Sequence, residues 1–204
     1  MCRIRLKQTN RIMSEKEISQ EESLKIISDM IGQAKSNVGK GGSFYFLMWG
    51  FVVAIANLSA YYLVVVADYS KPYLVWLIMI PAMVVSIVYS SRHKKHARVH
   101  GHLDKIYGQM WMGVFVCIMI TLVFMTKVEM QQNAIILLIT GLATFVSGRL
   151  LNFLPLVLGG IALWIASVFA FTVSPVEQNL VAGIAIIVGY IIPGFLLRKE
   201  ELAN

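Results

Sequence analysis

Residues 72–105 read PYLVWLIMIPAMVVSIVYSSRHKKHARVHGHLDK, an apolar run that passes directly into a basic one. The 20 residues 72–91 contain no Asp, Glu, Lys or Arg, and a helix needs about 17–25 mostly apolar residues to cross the hydrocarbon of a bilayer. The run does not alternate apolar and polar residues as a strand of a membrane barrel would. The stretch therefore predicts a transmembrane helix followed by a cationic loop that stays outside the lipid.

The same pattern recurs along the whole chain. Of its 204 residues, 57% are hydrophobic and only 14% are charged, whereas a soluble domain carries about 25% charged residues. The uncharged runs cover residues 41–67, 72–91, 106–126, 130–148, 150–176 and 178–197. We predict an all-α membrane protein whose six transmembrane helices form three hairpins. The predicted helices span about 44–66, 73–89, 107–125, 133–150, 153–173 and 180–197.

Basic residues indicate how these helices are oriented. Lys and Arg accumulate in short cytoplasmic loops, and 16 of the 18 in this chain fall on the side that holds the N-terminus. Lys71 and Lys127 are the two on the other side. We therefore predict cytoplasmic tails over 1–43 and 198–204, flanking a transmembrane domain over 44–197. Topology accounts for most of the net charge of +7, and we predict no nucleic-acid partner.

The N-terminal tail contains a predicted amphipathic helix over about 20–36. Ser19 and Glu22 have the spacing of a capping box, and apolar residues then recur at helical intervals. Two interpretations remain open. The helix packs on headgroups or cytoplasmic loops, or its apolar face docks a protein partner or a second copy of the chain. The residues that would make the docking contact are Leu24, Ile27, Met30 and Ile31.

The beginning of the chain does not resemble a signal peptide. The first residues, MCRIRLKQTNRI, are basic but are followed by no apolar stretch. We expect Met13, which opens MSEKEISQEES, to be at least as natural a start as Met1.

Small residues and prolines shape the predicted helices. Ala162, Ala166 and Ala170 form a stripe at intervals of four, which predicts close approach of a neighbouring helix. Pro81 and Pro193 lie inside the second and sixth predicted helices and should kink them, either as fixed bends or as hinges.

No Asp, Glu, Lys, Arg or His lies deep within a predicted span, although proton relays and carriers of charged solutes usually place one there. The chain also lacks the phosphate-loop, His-Glu-x-x-His and Cys-x-x-Cys motifs. We predict no catalytic residue and no cofactor. Hydroxyl groups in membrane helices usually bond to a carbonyl one turn earlier, but a polar path for an uncharged solute remains an alternative. Its candidate residues are Asn57, Ser86 and Thr144.

All four histidines fall within ten residues of the loop quoted above. If the second helix continues into the cytoplasm, His93, His96 and His100 share one side of it and the lysines take the other. Imidazoles spaced by four residues can share a zinc ion. A metal site, a pH-responsive contact and an ordinary basic loop are the three interpretations, and the last is favoured because Asp104 is the only nearby acid.

Four segments resemble small multipass inner-membrane proteins of Bacteroides-type bacteria: EESLKIISDMIGQAKSN, FYFLMWGFVVAI, HLDKIYGQMW and GYIIPGFLL. The resemblance covers residues 20–197. It implies a six-helix architecture and a bacterial inner-membrane location, and it implies no activity or site.

The sequence thus favours a non-enzymatic integral membrane protein with a structural, regulatory or partner-binding role. Its expected partners are the lipid bilayer and, through the N-terminal helix, another protein or a second copy. The alternative is a transporter or channel for a small uncharged or lipophilic solute.

Overall fold

A computed structural model describes residues 42–96 and 102–203, in which the regular secondary structure is helical throughout. The α-helices are α1 (Gly42–Val65), α2 (Met79–His96), α3 (His102–Val123), α4 (Gln132–Leu150), α5 (Leu154–Ala170), α6 (Glu177–Ile186) and α7 (Ile192–Ala203). A 3-10 helix (Pro72–Ile78) precedes α2, and a π-helical segment (Ile187–Ile191) joins α6 to α7.

The lengths of these helices support the predicted class. Within the described residues, five helical stretches are long and apolar enough to cross a membrane, namely Gly42–Val65, Pro72–Arg92, Lys105–Val123, Gln132–Leu150 and Glu177–Ala203. Helix α5 is apolar but shorter, with 17 residues. The prediction of an all-helical membrane protein is therefore confirmed at that level. The predicted amphipathic helix over 20–36 lies outside the described residues.

Both prolines mark changes of helix type. Pro81 lies in the first turn of α2, immediately after the 3-10 helix ends. Pro193 follows the π-helical segment and has no N–H to donate to the carbonyl of Gly189, four residues earlier. Each of these two predicted helices therefore changes helix type close to its proline. Such a change is expected because proline removes one backbone hydrogen bond from the helix.

A tight turn joins α4 to α5. Asn152 has a φ of 54°, the left-handed conformation common just after a helix. The N–H of Phe153 donates to the carbonyl of Gly148 at 2.8 Å, and the N–H of Asn152 donates to that of Arg149 at 3.3 Å. These two bonds form a Schellman motif, and Pro155 then lies in the first turn of α5. The short connection makes α4 and α5 antiparallel neighbours.

The α4–α5 pair has the most extensive contact in the described fold. A Cβ built on Gly160 would lie 2.7 Å from the backbone nitrogen of Phe145, and one on Gly148 would lie 2.6 Å from that of Val157. The two backbones therefore touch along glycines. Of the predicted alanine stripe, Ala170 is buried but Ala162 and Ala166 are only half-buried, because the glycine-bearing side of α5 makes the contact with α4.

A second close approach joins α5 to the π-helical segment. A Cβ on Gly159 would lie 2.5 Å from the carbonyl oxygen of Gly189. That carbonyl is the one that Pro193 leaves without its usual helical donor. The wide turn before Pro193 thus turns a backbone oxygen toward the backbone of α5, where only glycine leaves enough room.

The core is formed by α1, α4, α5 and the α6–α7 stretch. Helix α1 packs along α6, the π-helical segment and α7, while α5 contacts both α4 and α6. Helix α2 contacts chiefly α1, and α3 contacts chiefly α4. Among the described side chains of these two helices, Ala82 in α2 and Thr121 in α3 are the only ones buried. The α2 and α3 helices therefore flank a tightly packed core.

Candidate functional site

The three residues of the predicted polar path have separate surroundings. Asn57 is 2% exposed, and its amide nitrogen donates to the carbonyl of Val53 in its own helix at 2.9 Å. Ser86 is half-buried on α2, and its hydroxyl lies 4.0 Å from the sulfur of Met48 on α1. Thr144 is completely buried on α4. The described contacts do not join these three side chains into one lining.

Hydroxyl groups in the spans bond mainly within their own helices. Thr144 donates to the carbonyl of Thr140 at 2.7 Å, and Ser147 donates to that of Ala143 at 2.7 Å. Thr121 donates to the carbonyl of Cys117 at 2.9 Å, and Thr140 donates to that of Ile136. These four bonds confirm the expected pattern of a hydroxyl satisfied one turn back.

Two tyrosines connect this row of hydroxyls to other helices. The hydroxyl of Tyr190, in the π-helical segment, interacts with Thr144, and that of Tyr107, on α3, interacts with Ser147. These two contacts connect α3 and the π-helical segment to the hydroxyl-bearing side of α4.

Aromatic rings surround these two contacts. The ring of Tyr190 lies 5.0 Å from that of Phe46 and 6.4 Å from that of Trp111, measured between centroids. Phe46 and Trp111 lie 5.9 Å apart with their planes nearly perpendicular. Such edge-to-face contacts add to the stability of a packed core. The rings and hydroxyls thus form one cluster that consists of Phe46, Tyr107, Trp111, Thr144, Ser147 and Tyr190.

A carboxylate joins the two ends of the described chain. The carboxylate of Glu201, near the end of α7, accepts from the backbone N–H of Ser43 at 3.1 Å and from its hydroxyl at 2.5 Å. A negative charge is favourable at a helix N-terminus, where backbone N–H groups lack partners. Glu201 also lies near Tyr89 and Tyr107, so these residues mark one end of the bundle.

Amide side chains meet at the opposite end, where α4 and α6 begin. Gln178, which is 0% exposed, donates to the amide oxygen of Gln131 at 2.5 Å, and Asn133 donates to that of Asn179 at 3.1 Å. Ser167 of α5 donates to the carbonyl of Ala134 at 2.8 Å. These bonds link the beginnings of α4 and α6 and the far end of α5.

Three amide oxygens lack partners among the described residues: Asn57 Oδ1, Gln132 Oε1 and Gln178 Oε1. Each is an acceptor that can take a hydrogen bond from water or from another donor. Among the buried described side chains none is Asp, Glu, Lys, Arg or His. The interior offers hydroxyl and amide groups, which form hydrogen bonds and do not transfer protons readily at neutral pH.

The predicted metal and partner-binding residues fall largely outside the described part of the chain. His93 and His96 lie on the last turns of α2, but their side chains are outside it, as is the whole of His100. Among the described residues no group of three metal-ligating side chains occurs. Leu24, Ile27, Met30 and Ile31 also lie outside the described residues.

Sequence reasoning missed the roles of Tyr107, Tyr190, Gln178 and Glu201. Tyr107 fits an aromatic belt equally well, and Tyr190 has only its position three residues before Pro193 to set it apart. Gln178 was detectable in principle, because SPVE at 174–177 is a capping-box pattern that places the next residue in the first turn of a helix. The structure bears out that box: Ser174 N–H donates to Glu177 at 3.0 Å.

Comparison of the chain with protein families, curated proteins and solved structures finds no match. The class of the molecule is therefore defined by its own helices, as an all-helical membrane protein.

Proposed function

We propose that the chain is a non-enzymatic integral protein of a bacterial inner membrane whose role is to bind a protein partner. In this proposal six helices cross the bilayer as three hairpins and both termini are cytoplasmic. The distribution of basic residues supports this topology. Helix α5, at 17 residues, rises about 26 Å, which matches a hydrocarbon core of about 30 Å once its apolar flanks are added.

The observation that carries the proposal is the closed packing of the core. Backbones touch at Gly160 and at Gly159, and the hydroxyls of Thr140, Thr144 and Ser147 bond to carbonyls of their own helix. A solute path needs polar groups that face a shared space. Here those groups are engaged in holding helices together, as is usual in membrane helix packing.

The alternative, a carrier for a small uncharged solute, is less well supported. Asn57, Ser86 and Thr144 have separate partners, and a groove of about 440 Å³ has walls made only of apolar residues and glycine. One side of that groove is formed by α5, and the other is formed by the π-helical segment and α7. It resembles a surface that faces lipid more than a passage through the bundle.

The cytoplasmic segment is the proposed means of binding. The apolar residues Leu24, Ile27, Met30 and Ile31 share one face if residues 20–36 are helical. The surrounding charges are mixed in sign, unlike the strongly basic helices that bind lipid surfaces. A face of this kind suits the apolar groove of a protein partner or of a second copy.

Cross-linking in cells followed by quantitative mass spectrometry tests this proposal. The full chain, a chain lacking residues 14–40, and a variant with Leu24→Ser, Ile27→Ser and Ile31→Ser are compared. A matched control carries Glu21→Gln, Lys25→Gln and Lys35→Gln on the charged positions. We expect one specific partner, or the dimer, to be lost in the deletion and the serine variant and kept in the control. If the deletion leaves every cross-linked species intact, partner binding through this segment is wrong.

A further inference from the structure

A second groove lies between α1 and α2. It has a volume of about 260 Å³ and is lined by Phe44, Val84, Val85, Val88, Tyr89 and Arg92. We call it the Arg92 groove. Val84, Val85 and Val88 form its apolar wall on α2, and Phe44 closes it from α1. Arg92 is an exposed residue one turn beyond Val88 along the same helix.

The groove changes character along its length. From Val84 to Arg92 the helix rises about 12 Å, so an apolar half ends at a guanidinium. Phe44 and Tyr89 stack at 3.9 Å, and Tyr45 meets Tyr89 edge-on at 5.5 Å. Tyrosines of this kind prefer the level of the lipid headgroups. The aromatic stack therefore lies where a lipid would change from acyl chain to headgroup.

Arg92 supplies a positive charge at the end of the groove. The carboxylate of Glu201, which acts on Tyr89, is engaged by the N–H and hydroxyl of Ser43. Among the described residues Arg92 forms no ion pair, and Lys94 and Lys95 follow it in the sequence of α2. An anion entering the groove would meet arginine, which binds phosphate oxygens through two parallel hydrogen bonds.

An apolar wall alone would not select an occupant, because lipid tails are as apolar as valine. Selection must come from the guanidinium at the end of the groove. We propose that the Arg92 groove is a binding site for an anionic phospholipid, with one acyl chain along Val84, Val85 and Val88 and the phosphate at Arg92. Basic sites between membrane helices on the cytoplasmic side recognise anionic headgroups in this way. The proposal rests on the topology stated under the proposed function.

Helix α2 packs only weakly within the chain, and lipid binding would explain its exposed apolar side. The helix makes few contacts with the rest of the core, and its apolar side chains are mostly exposed. A bound lipid would fill the space between α1 and α2 and hold these two helices together.

Native mass spectrometry of the full chain in a mild detergent tests the proposal. The probes are dioleoylphosphatidylglycerol, dioleoylphosphatidylcholine with the same acyl chains, and inorganic phosphate. We expect the anionic lipid to bind about tenfold more tightly than the zwitterionic one, as for a hydrogen bond to a charged group. Arg92→Gln should remove that preference. Arg149→Gln, an exposed arginine at the end of α4, is the matched control and should keep it.

A second pair of variants tests the shape of the groove. Val88→Trp would fill it, whereas Val188→Trp would fill the larger apolar groove that contains Val188. The two valines are exposed to almost the same extent, 45% and 46%. We expect lipid retention to fall in Val88→Trp and to persist in Val188→Trp. Circular dichroism and a single size-exclusion peak establish that each variant is folded.

Several results would overturn the proposal. Equal binding of the two lipids, or unchanged preference in folded Arg92→Gln, would show that the guanidinium does not select the headgroup. If inorganic phosphate displaces bound phosphatidylglycerol as effectively as added phosphatidylglycerol does, the groove is a site for free anions. If the unmodified chain shows no lipid preference but forms a dimer, and Val88→Trp abolishes that dimer, then a second copy occupies the groove. None of these results depends on residues 14–40, so the partner-binding proposal can fail or succeed separately.

Discussion

Single atoms decide how closely the core helices approach. At Gly160 an added Cβ would lie 2.7 Å from the nitrogen of Phe145 and 2.8 Å from the carbonyl oxygen of Gly141. Both are backbone atoms, which cannot rotate away as the end of a side chain can. At Gly113, on α3, nothing lies within 4 Å of the same position. The two glycines therefore look alike in the sequence but differ in what surrounds them.

We predict opposite effects of alanine at these two positions. Gly160→Ala should lower the free energy of unfolding by about 1–3 kcal/mol, because α4 and α5 must separate. Gly113→Ala should leave it unchanged or raise it by up to about 1 kcal/mol, since alanine favours a helix. Thermal unfolding in detergent micelles measures both. Equal destabilisation of the two variants would contradict the packing described for α4 and α5.

Buried polar residues show how much of the site was predictable at this scale. Thr140, Thr144 and Ser147 were recognisable as buried hydroxyls, and local geometry already determines their carbonyl partners. The contact of Tyr190 with Thr144 was not predictable, because the two residues are far apart in sequence and only helix packing brings them together.

At the scale of elements, the turn between α4 and α5 sets the most extensive contact in the fold. It depends on Asn152, whose φ of 54° belongs to the left-handed region. Asparagine tolerates that region better than other residues with a side chain, and glycine tolerates it best. The hydrogen bonds from Phe153 and Asn152 then close the end of α4.

We predict that Asn152→Val destabilises the protein by about 1–2 kcal/mol, because a β-branched residue is strained in the left-handed region. Asn152→Gly should be neutral or slightly stabilising and is the matched control. Chemical unfolding followed by tryptophan fluorescence, to which Trp164 on Phe145 of α4 contributes, measures the unfolding midpoint. Similar unfolding midpoints for the two variants would mean that the turn does not adopt this conformation in the membrane.

At the scale of the whole molecule, the first helix is held mainly by the last ones. Helix α1 packs on α6, the π-helical segment and α7, and Glu201 binds Ser43. The chain between them contributes a hairpin, α4–α5, that packs against the α6–α7 stretch. Helices α2 and α3 take little part in these contacts, so a break in the chain between them should be tolerated.

We predict that two co-expressed fragments, 1–100 and 101–204, copurify as a folded complex, since preformed membrane helices can associate without a covalent link. Gly183→Leu should reduce the yield of complex about tenfold or more, because the whole leucine side chain would take the space that Leu58 of α1 now fills, beginning 2.6 Å from its Cδ2. Gly108→Leu, with nothing within 4 Å, is the control. Affinity purification through a tag on the first fragment measures the yield. Equal yields would show that α1 is held elsewhere.

The sequence by itself determined that the protein is helical and apolar enough for a membrane, because those properties depend on composition and on the lengths of uncharged runs. It also indicated which hydroxyls bond to their own helix, since that bond is local. Only the tertiary structure decided which faces meet. The glycine contacts of α4 with α5, the link from Tyr190 to Thr144, the bond from Ser43 to Glu201 and the groove ending at Arg92 each join residues from different helices. In a chain whose helices are apolar on nearly all sides, hydrophobicity does not distinguish a face that meets protein from one that meets lipid. Close fit and a few hydrogen bonds make that distinction, and they exist only once the helices have packed.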